Sequence, residues 1–170
     1  MKRIALIVAS VLVMGLLYLV FDDYSFDPLR ASGLKKVFNG DCTAKKICSK
    51  DLIGFSIRGE YFDVYRYDMH NCAVDTSEIV CDIWENHQLR SSNNTVKWKN
   101  CPPDSITTES FRSILSQTSI DAINCSELDL IDLDNSDNFY LAIDDNYTRQ
   151  FFLLFSPEIG HLIYVRKNGM

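Results

Sequence analysis

The sequence predicts an α+β protein, with an N-terminal transmembrane helix followed by one disulfide-bonded domain of antiparallel sheet and one or two helices. Three observations carry this expectation. Ile4 to Phe21 is a run of 18 residues without a charge or a proline. Six cysteines, at 42, 48, 72, 81, 101 and 125, all lie beyond that run. Strand-like runs recur after it without the strand-helix alternation of a parallel sheet.

As a helix, Ile4 to Phe21 spans about 27 Å, close to the thickness of a hydrocarbon core. Lys2 and Arg3 precede it and Asp22 and Asp23 follow it, so the positive-inside tendency places the N-terminus in the cytoplasm and the C-terminus outside. A cleaved signal peptide would have a shorter apolar region ending in a small-x-small site. Here Leu16, Leu17, Tyr18, Leu19, Val20 and Phe21 end the run, none of them small. The expected division is therefore 1–21, cytoplasmic N-terminus and signal anchor, and 22–170, one extracytoplasmic globular domain. The compartment in view is the periplasmic face of a bacterial inner membrane.

Of 17 Lys plus Arg, two precede the anchor, leaving 15 against all 23 acidic residues in the outer part, a net charge of −8. That balance disfavours nucleic acid as a partner and suits a basic protein. An oxidising compartment makes Cys42, Cys48, Cys72, Cys81, Cys101 and Cys125 disulfide candidates. Their spacing favours sequential loops, Cys42 with Cys48, Cys72 with Cys81, and Cys101 with Cys125, although loop entropy alone does not choose among pairings. His70, Cys72, Cys81 and His87 do not have the tight ligand spacing of a structural zinc site, so no metal and no cofactor are expected.

Along the outer domain, Asp27 and Pro28 read as the cap and first residue of a short helix closed by Gly40. Only five residues separate it from the anchor, a reach of about 18 Å at most. The domain is thus expected against the outer face of the membrane. Leu52 to Arg58 and Tyr61 to Tyr67 read as a hairpin (52–67) about Gly59 and Glu60. Tyr61, Tyr65 and Tyr67 share one face of its second strand and serve in packing. Glu78 to Trp84 and Thr95 to Lys99 read as strands, and Asp104 leads into a helix carrying Phe111, Ile114 and Leu115 at helical spacing. A C-terminal meander (139–167) is expected from FYLAID, FFLLF and HLIYVRK, separated by turn-rich segments.

Glu127, Asp129, Asp132, Asp134, Asp137, Asp144 and Asp145 form an acidic run with no intervening Lys, Arg or His. Asp132, Asp134 and Ser136 resemble the opening of a calcium loop, but Asp137 stands at its glycine position and Ile143 at its closing glutamate. Steering and gripping a basic partner is the better functional reading than calcium, while solvated turns and charged strand edges are the more ordinary explanation of such a run. No nucleophile elbow, zinc-binding helix, P-loop or dinucleotide fingerprint is present. Three Asn-x-Ser/Thr matches, at Asn93, Asn124 and Asn146, are unremarkable in a chain this rich in Asn, Ser and Thr. The expectation is a single-pass, membrane-anchored protein-binding domain rather than an enzyme, for example an inhibitor or immunity protein against an envelope-targeting toxin. The alternatives are an accessory subunit of an envelope assembly or secretion complex, and an enzyme whose site assembles only in the fold.

Overall fold

A computed structural model describes residues 8–16, 31–39, 41–53, 60–85, 87–89, 95–119, 131–144 and 149–169. Its centre is a six-stranded antiparallel sheet in the order β2-β3-β12-β11-β10-β9. The strands are β2 (Thr43–Asp51), β3 (Tyr61–His70), β9 (Lys99–Asn100), β10 (Phe139–Asp144), β11 (Arg149–Ser156) and β12 (His161–Asn168). The expected C-terminal meander is present as β10, β11 and β12, with Phe139 opposite Phe155 and Arg149 opposite Asn168. β3 and β12 join it to the N-terminal hairpin, Tyr164 facing Tyr65 across the ladder.

Both faces of this sheet are buried, so its central strands show no polar alternation. On one face Tyr65, Tyr67, Leu141, Phe151, Leu153, Phe155, Leu162 and Tyr164 form a core with Trp84 and Trp98. On the other, Phe62, Val64, Tyr140, Phe152, Leu154, Ile163 and Val165 pack with Phe111, Ile131 and Leu133. Successive residues of Phe151 to Phe155 alternate between the two cores, as the period of a strand requires.

The first core is covered by α2 (Ala31–Val37) and by short ladders. These pair β1 (Phe38–Asn39) with β4 (Ala73–Val74), β5 (Ile79–Val80) with β8 (Thr95–Val96), and β6 (Ile83–Trp84) with β7 (His87–Gln88). The strand expected at Glu78 to Trp84 is thus split in two around the buried Cys81. α2 offers Leu34 and Val37 to the core and passes directly into β1. Its expected cap at Asp27 and stop at Gly40 lie outside the described residues.

The second core is covered by α3 (Ser105–Ser119). Asp104 caps it, its Oδ1 accepting from the Thr107 amide at 2.9 Å and its Oδ2 from the Thr107 hydroxyl at 2.9 Å, which satisfies an otherwise orphaned helical donor. Phe111 meets Phe152 edge-on, with ring centroids 5.1 Å apart. Ile114 and Leu115 belong to α3, but their side chains lie outside the described residues.

The hairpin differs from the expected one. Its first strand is β2, Thr43–Asp51, paired with β3 from Thr43↔His70 to Asp51↔Asp63. Leu52 and Ile53 fall in a bend beyond β2, and residues 54–59 lie outside the described set, including Gly59 of the expected turn. β2 lies at the edge of the sheet and carries Lys45, Lys46 and Lys50, with the register shifting between Lys46 and Cys48. Lysines and a bulge are features by which edge strands avoid further pairing, and they leave no apolar face to mark the strand.

The sequential cysteine pairing is also corrected. Cys42 bonds to Cys72, their Cα atoms 4.4 Å apart. Antiparallel pairing of Thr43 with His70 and of Asn39 with Ala73 brings these two cysteines side by side. Cys42 and Cys48 instead lie along one extended segment, where six residues separate them by roughly 20 Å. Cys48 is disulfide-bonded as well, and Cys125 lies outside the described residues. Cys81 and Cys101 are buried free thiols, one in each core, and burial pushes both up to about 11.

Residues 8–16 form a helix, α1, whose Val8, Val11, Leu12, Val13, Met14 and Leu16 are all exposed. Among the described residues no helix is long and apolar enough to cross a membrane. The remaining parts of the expected anchor, 4–7 and 17–21, lie outside the described residues.

Candidate partner-binding surface and a buried ionic network

The acidic run divides in space. Asp132, Asp134 and Asp137 lie together on the loop 131–138, which leads into β10. Asp144 closes β10 opposite Gln150, at the far end of a strand about 17 Å long. Glu127, Asp129 and Asp145 lie outside the described residues. Of the four acids of the run among the described residues, the structure therefore brings together Asp132, Asp134 and Asp137.

Sequence alternation explains why the loop is held. Ile131 and Leu133 are buried in the second core while Asp132 and Asp134 between and beyond them are exposed. The Asp134 amide donates to Asp132 Oδ1 at 2.8 Å and the Asp137 amide to Asn135 Oδ1 at 3.0 Å, two successive side-chain-closed turns. Buried Asn138 donates through Nδ2 to the Asp132 carbonyl at 2.7 Å. Asn100 Nδ2 donates to the Ser136 carbonyl at 3.0 Å, and the Cys101 amide to that of Asn138 at 2.9 Å. These bonds tie the loop to β9. Among the described residues the loop's basic contact is Arg112 Nη2 to Asp134 Oδ2, at 3.4 Å between exposed side chains, an interaction worth at most about 1 kcal/mol. No group of metal-binding side chains is present among the described residues.

A second constellation was invisible in the sequence because its members come from three separate segments. Arg166 donates from Nε to Asp63 Oδ2 at 2.7 Å and lies 3.3 Å through Nη1 from Glu85 Oε2. Tyr164 donates to Glu85 Oε1 at 2.6 Å and accepts from Trp84 Nε1 at 2.7 Å. Tyr65 donates to Asp63 Oδ2 at 3.2 Å, and the guanidinium lies over the rings of Tyr61 and Tyr65. Register brings Asp63 opposite Arg166, while Glu85 enters from the turn between β6 and β7 with φ of 48°. The Arg166, Asp63 and Glu85 side chains are only 13%, 9% and 7% exposed. Two buried carboxylates thus share one cation.

Burial raises the pKa of Asp63 and Glu85, and Arg166 only partly opposes it. Burial likewise pushes Tyr61 up to about 12, with Glu85 adding to the effect. The folded state therefore binds protons more tightly than the unfolded chain at these two acids. Their contribution to stability is largest below the unfolded carboxylate range and is lost as pH rises through the raised folded values. Half-exposed Asp75 and exposed Asp104 act oppositely: hydrogen bonds from Ser77 and Thr107, respectively, lower their pKa values, and their contribution is lost on stronger acidification. We expect the urea midpoint to rise as pH falls from neutral through the raised folded values of Asp63 and Glu85, and to fall again on stronger acidification as Asp75 and Asp104 are protonated. In the variant D63N/E85Q the first rise should disappear, while an unchanged rise would assign it to other groups.

The two histidines with described side chains do not converge. His70 Nε2 is 3.3 Å from Asp68, His161 Nδ1 is 3.2 Å from Arg66 Nη2, and the side chain of His87 lies outside the described residues. Cys72, one of the four residues of the zinc-like series, is consumed by the disulfide.

No family model matches the chain, and neither does any curated protein or solved structure. Neither of the two described clefts, one beside β8 and β10 and one along α3, is lined by a member of the Arg166 network. With its charges turned to one another in the core, that network braces the Glu85 turn against the sheet.

Proposed function

We propose that the chain is a membrane-anchored, extracytoplasmic protein-binding domain that receives a basic partner on the loop 131–138. An inhibitor or immunity protein against an envelope-targeting toxin is the form that best fits a short tether and an acidic capture surface. The observation that carries this reading is the loop's construction, in which Ile131 and Leu133 are buried while Asp132, Asp134 and Asp137 are exposed. A loop already braced by hydrogen bonds loses little conformational entropy on binding, and clustered carboxylates speed encounter with a cationic surface. The weak Arg112 contact to Asp134 is easily exchanged for a partner's guanidinium.

For the anchor, the supporting features are the uncharged run Ile4 to Phe21 and the apolar side chains exposed along α1. Lipid is the natural cover for such a helix. In this reading the N-terminus is cytoplasmic and the domain stands at the periplasmic face of a bacterial inner membrane. The proposed role is non-enzymatic, with capture rather than catalysis at the loop.

The test uses the full chain in membranes and a quantitative pull-down of envelope proteins. Changing Asp132, Asp134 and Asp137 to Asn keeps the side-chain acceptor that closes the Asp132 turn and removes three charges. Capture should fall by roughly tenfold or more and become less sensitive to salt. Full capture by the triple variant would remove the acidic-loop mechanism. The exposed apolar α1 favours one other reading, a subunit of an envelope assembly that uses its helix inside the bilayer. Replacing the anchor with an unrelated one should leave capture intact in the first reading and abolish it in the second.

A further inference from the structure

A cleft of about 340 Å³ opens on the α3 side of the sheet, between β8 and the start of α3. Tyr140 and Ala142 of β10 form its floor. Trp98 points into the first core, so its neighbours Lys97 and Lys99 project to the opposite side and both line the cleft. The Lys99 ammonium lies 5.8 Å from the centroid of the Tyr140 ring. Among the described residues, neither lysine has a carboxylate within ion-pairing distance.

Two lysines left without an ion pair in one concavity are unexpected in a domain with a net charge of −8. Asp104 lies on the opposite wall, but both its oxygens accept from Thr107 and its charge serves the start of α3. Lys99 adds to the lowering of the Asp104 pKa, so it feels that charge at a distance. Among the described lining residues, Glu78, exposed at the rim, is the remaining opposing carboxylate. The floor is made of the Tyr140 ring and the Ala142 methyl, the rest of the lining is largely polar, and the volume suits a small molecule.

The geometry points to a binding site for a small organic anion, a carboxylate or phosphate monoester, its charge between Lys97 and Lys99 and its apolar part over Tyr140 and Ala142. Lysine ammonium groups serve either anion as point charges. This site is separate from the loop 131–138 and does not depend on the partner-binding reading.

The experiment titrates the full chain in detergent with 4-fluorobenzoate and 4-fluorophenyl phosphate, read by fluorine NMR, with inorganic phosphate as competitor. Saturable, salt-sensitive binding of at least one probe at millimolar concentration is expected. K97M/K99M should weaken it by roughly tenfold or more, and E78Q should tighten it. D132N/D134N/D137N should leave it unchanged. Stronger binding of the carboxylate or of the phosphate probe assigns the anion class. No saturable binding by either probe, or equal binding by K97M/K99M with an unchanged near-UV spectrum, would overturn the site. Should K97M/K99M not fold, E78Q decides: binding no tighter than wild type contradicts the charge arrangement.

Discussion

Replacing Arg166 with methionine is expected to destabilise the domain by about 3–5 kcal/mol at neutral pH, because it leaves buried carboxylates without their cation. Asp63 and Glu85 converge on this guanidinium from different elements, at 2.7 and 3.3 Å. Methionine fills much of the same volume, so the loss reports charge more than packing. Acid should reverse part of it, since protonating Asp63 and Glu85 removes the charges left unpaired. Urea denaturation at pH 7 and pH 5 checks both parts. A loss below about 1 kcal/mol would place the network in the range of surface ion pairs, contrary to its burial. The triple change R166M/D63N/E85Q should recover much of the stability, because neutral amides are less costly to bury than unpaired charges.

Trp98→Ala carries the second large effect, about 3–5 kcal/mol, through the cavity left by a fully buried indole. Trp98 is 2% exposed, and its ring packs against Phe38 at 5.1 Å and Phe155 at 6.5 Å between centroids. Its Nε1 donates to the Val37 carbonyl at 2.6 Å, at the last residue of α2. The indole thus joins the covering layer to the sheet. Trp98→Phe keeps most of the ring and strands that carbonyl, which should cost about 1–3 kcal/mol. Chemical denaturation of both variants separates packing from the hydrogen bond. Equal losses would mean that the bond, and not the volume, holds α2 in place.

How far the fold could be read in advance depended on whether an element advertised a buried face. The C-terminal meander did, since Phe151 to Phe155 and Leu162 to Val165 are apolar runs bounded by turn residues, with Gly160 at φ of 64° closing the second turn. α3 did too, through Asp104 and Phe111. β2 did not, because its few apolar residues, Ala44, Ile47 and Cys48, are interspersed with Lys, Thr and Ser and form no continuous apolar side. The apolar run beginning at Leu52 drew the hairpin's first strand one segment too late. Local cysteine spacing misled for a related reason: Cys42 and Cys72 become neighbours only through strand register, a long-range property.

The candidate surface was legible only in part. The acidic run was plain, but β10 separates Asp144 from the loop bearing Asp132, Asp134 and Asp137. Hydrophobic residues interleaved with the acids carried the sharper signal, since Ile131 and Leu133 are what anchor that loop. Nothing local could have joined Asp63, Glu85 and Arg166, which are brought together by the β3–β12 register and a turn with positive φ.

The most direct test of the proposed role places a photo-crosslinking amino acid at Ser136, within the acidic loop, or at Ser49, on the opposite edge of the sheet, in the full chain in its membrane. Both positions are exposed. A discrete partner adduct should form from position 136, fade when Asp132, Asp134 and Asp137 become Asn, and be absent from position 49. Equal adducts from both positions, or an adduct at 136 that survives loss of the three charges, would contradict capture through the acidic loop.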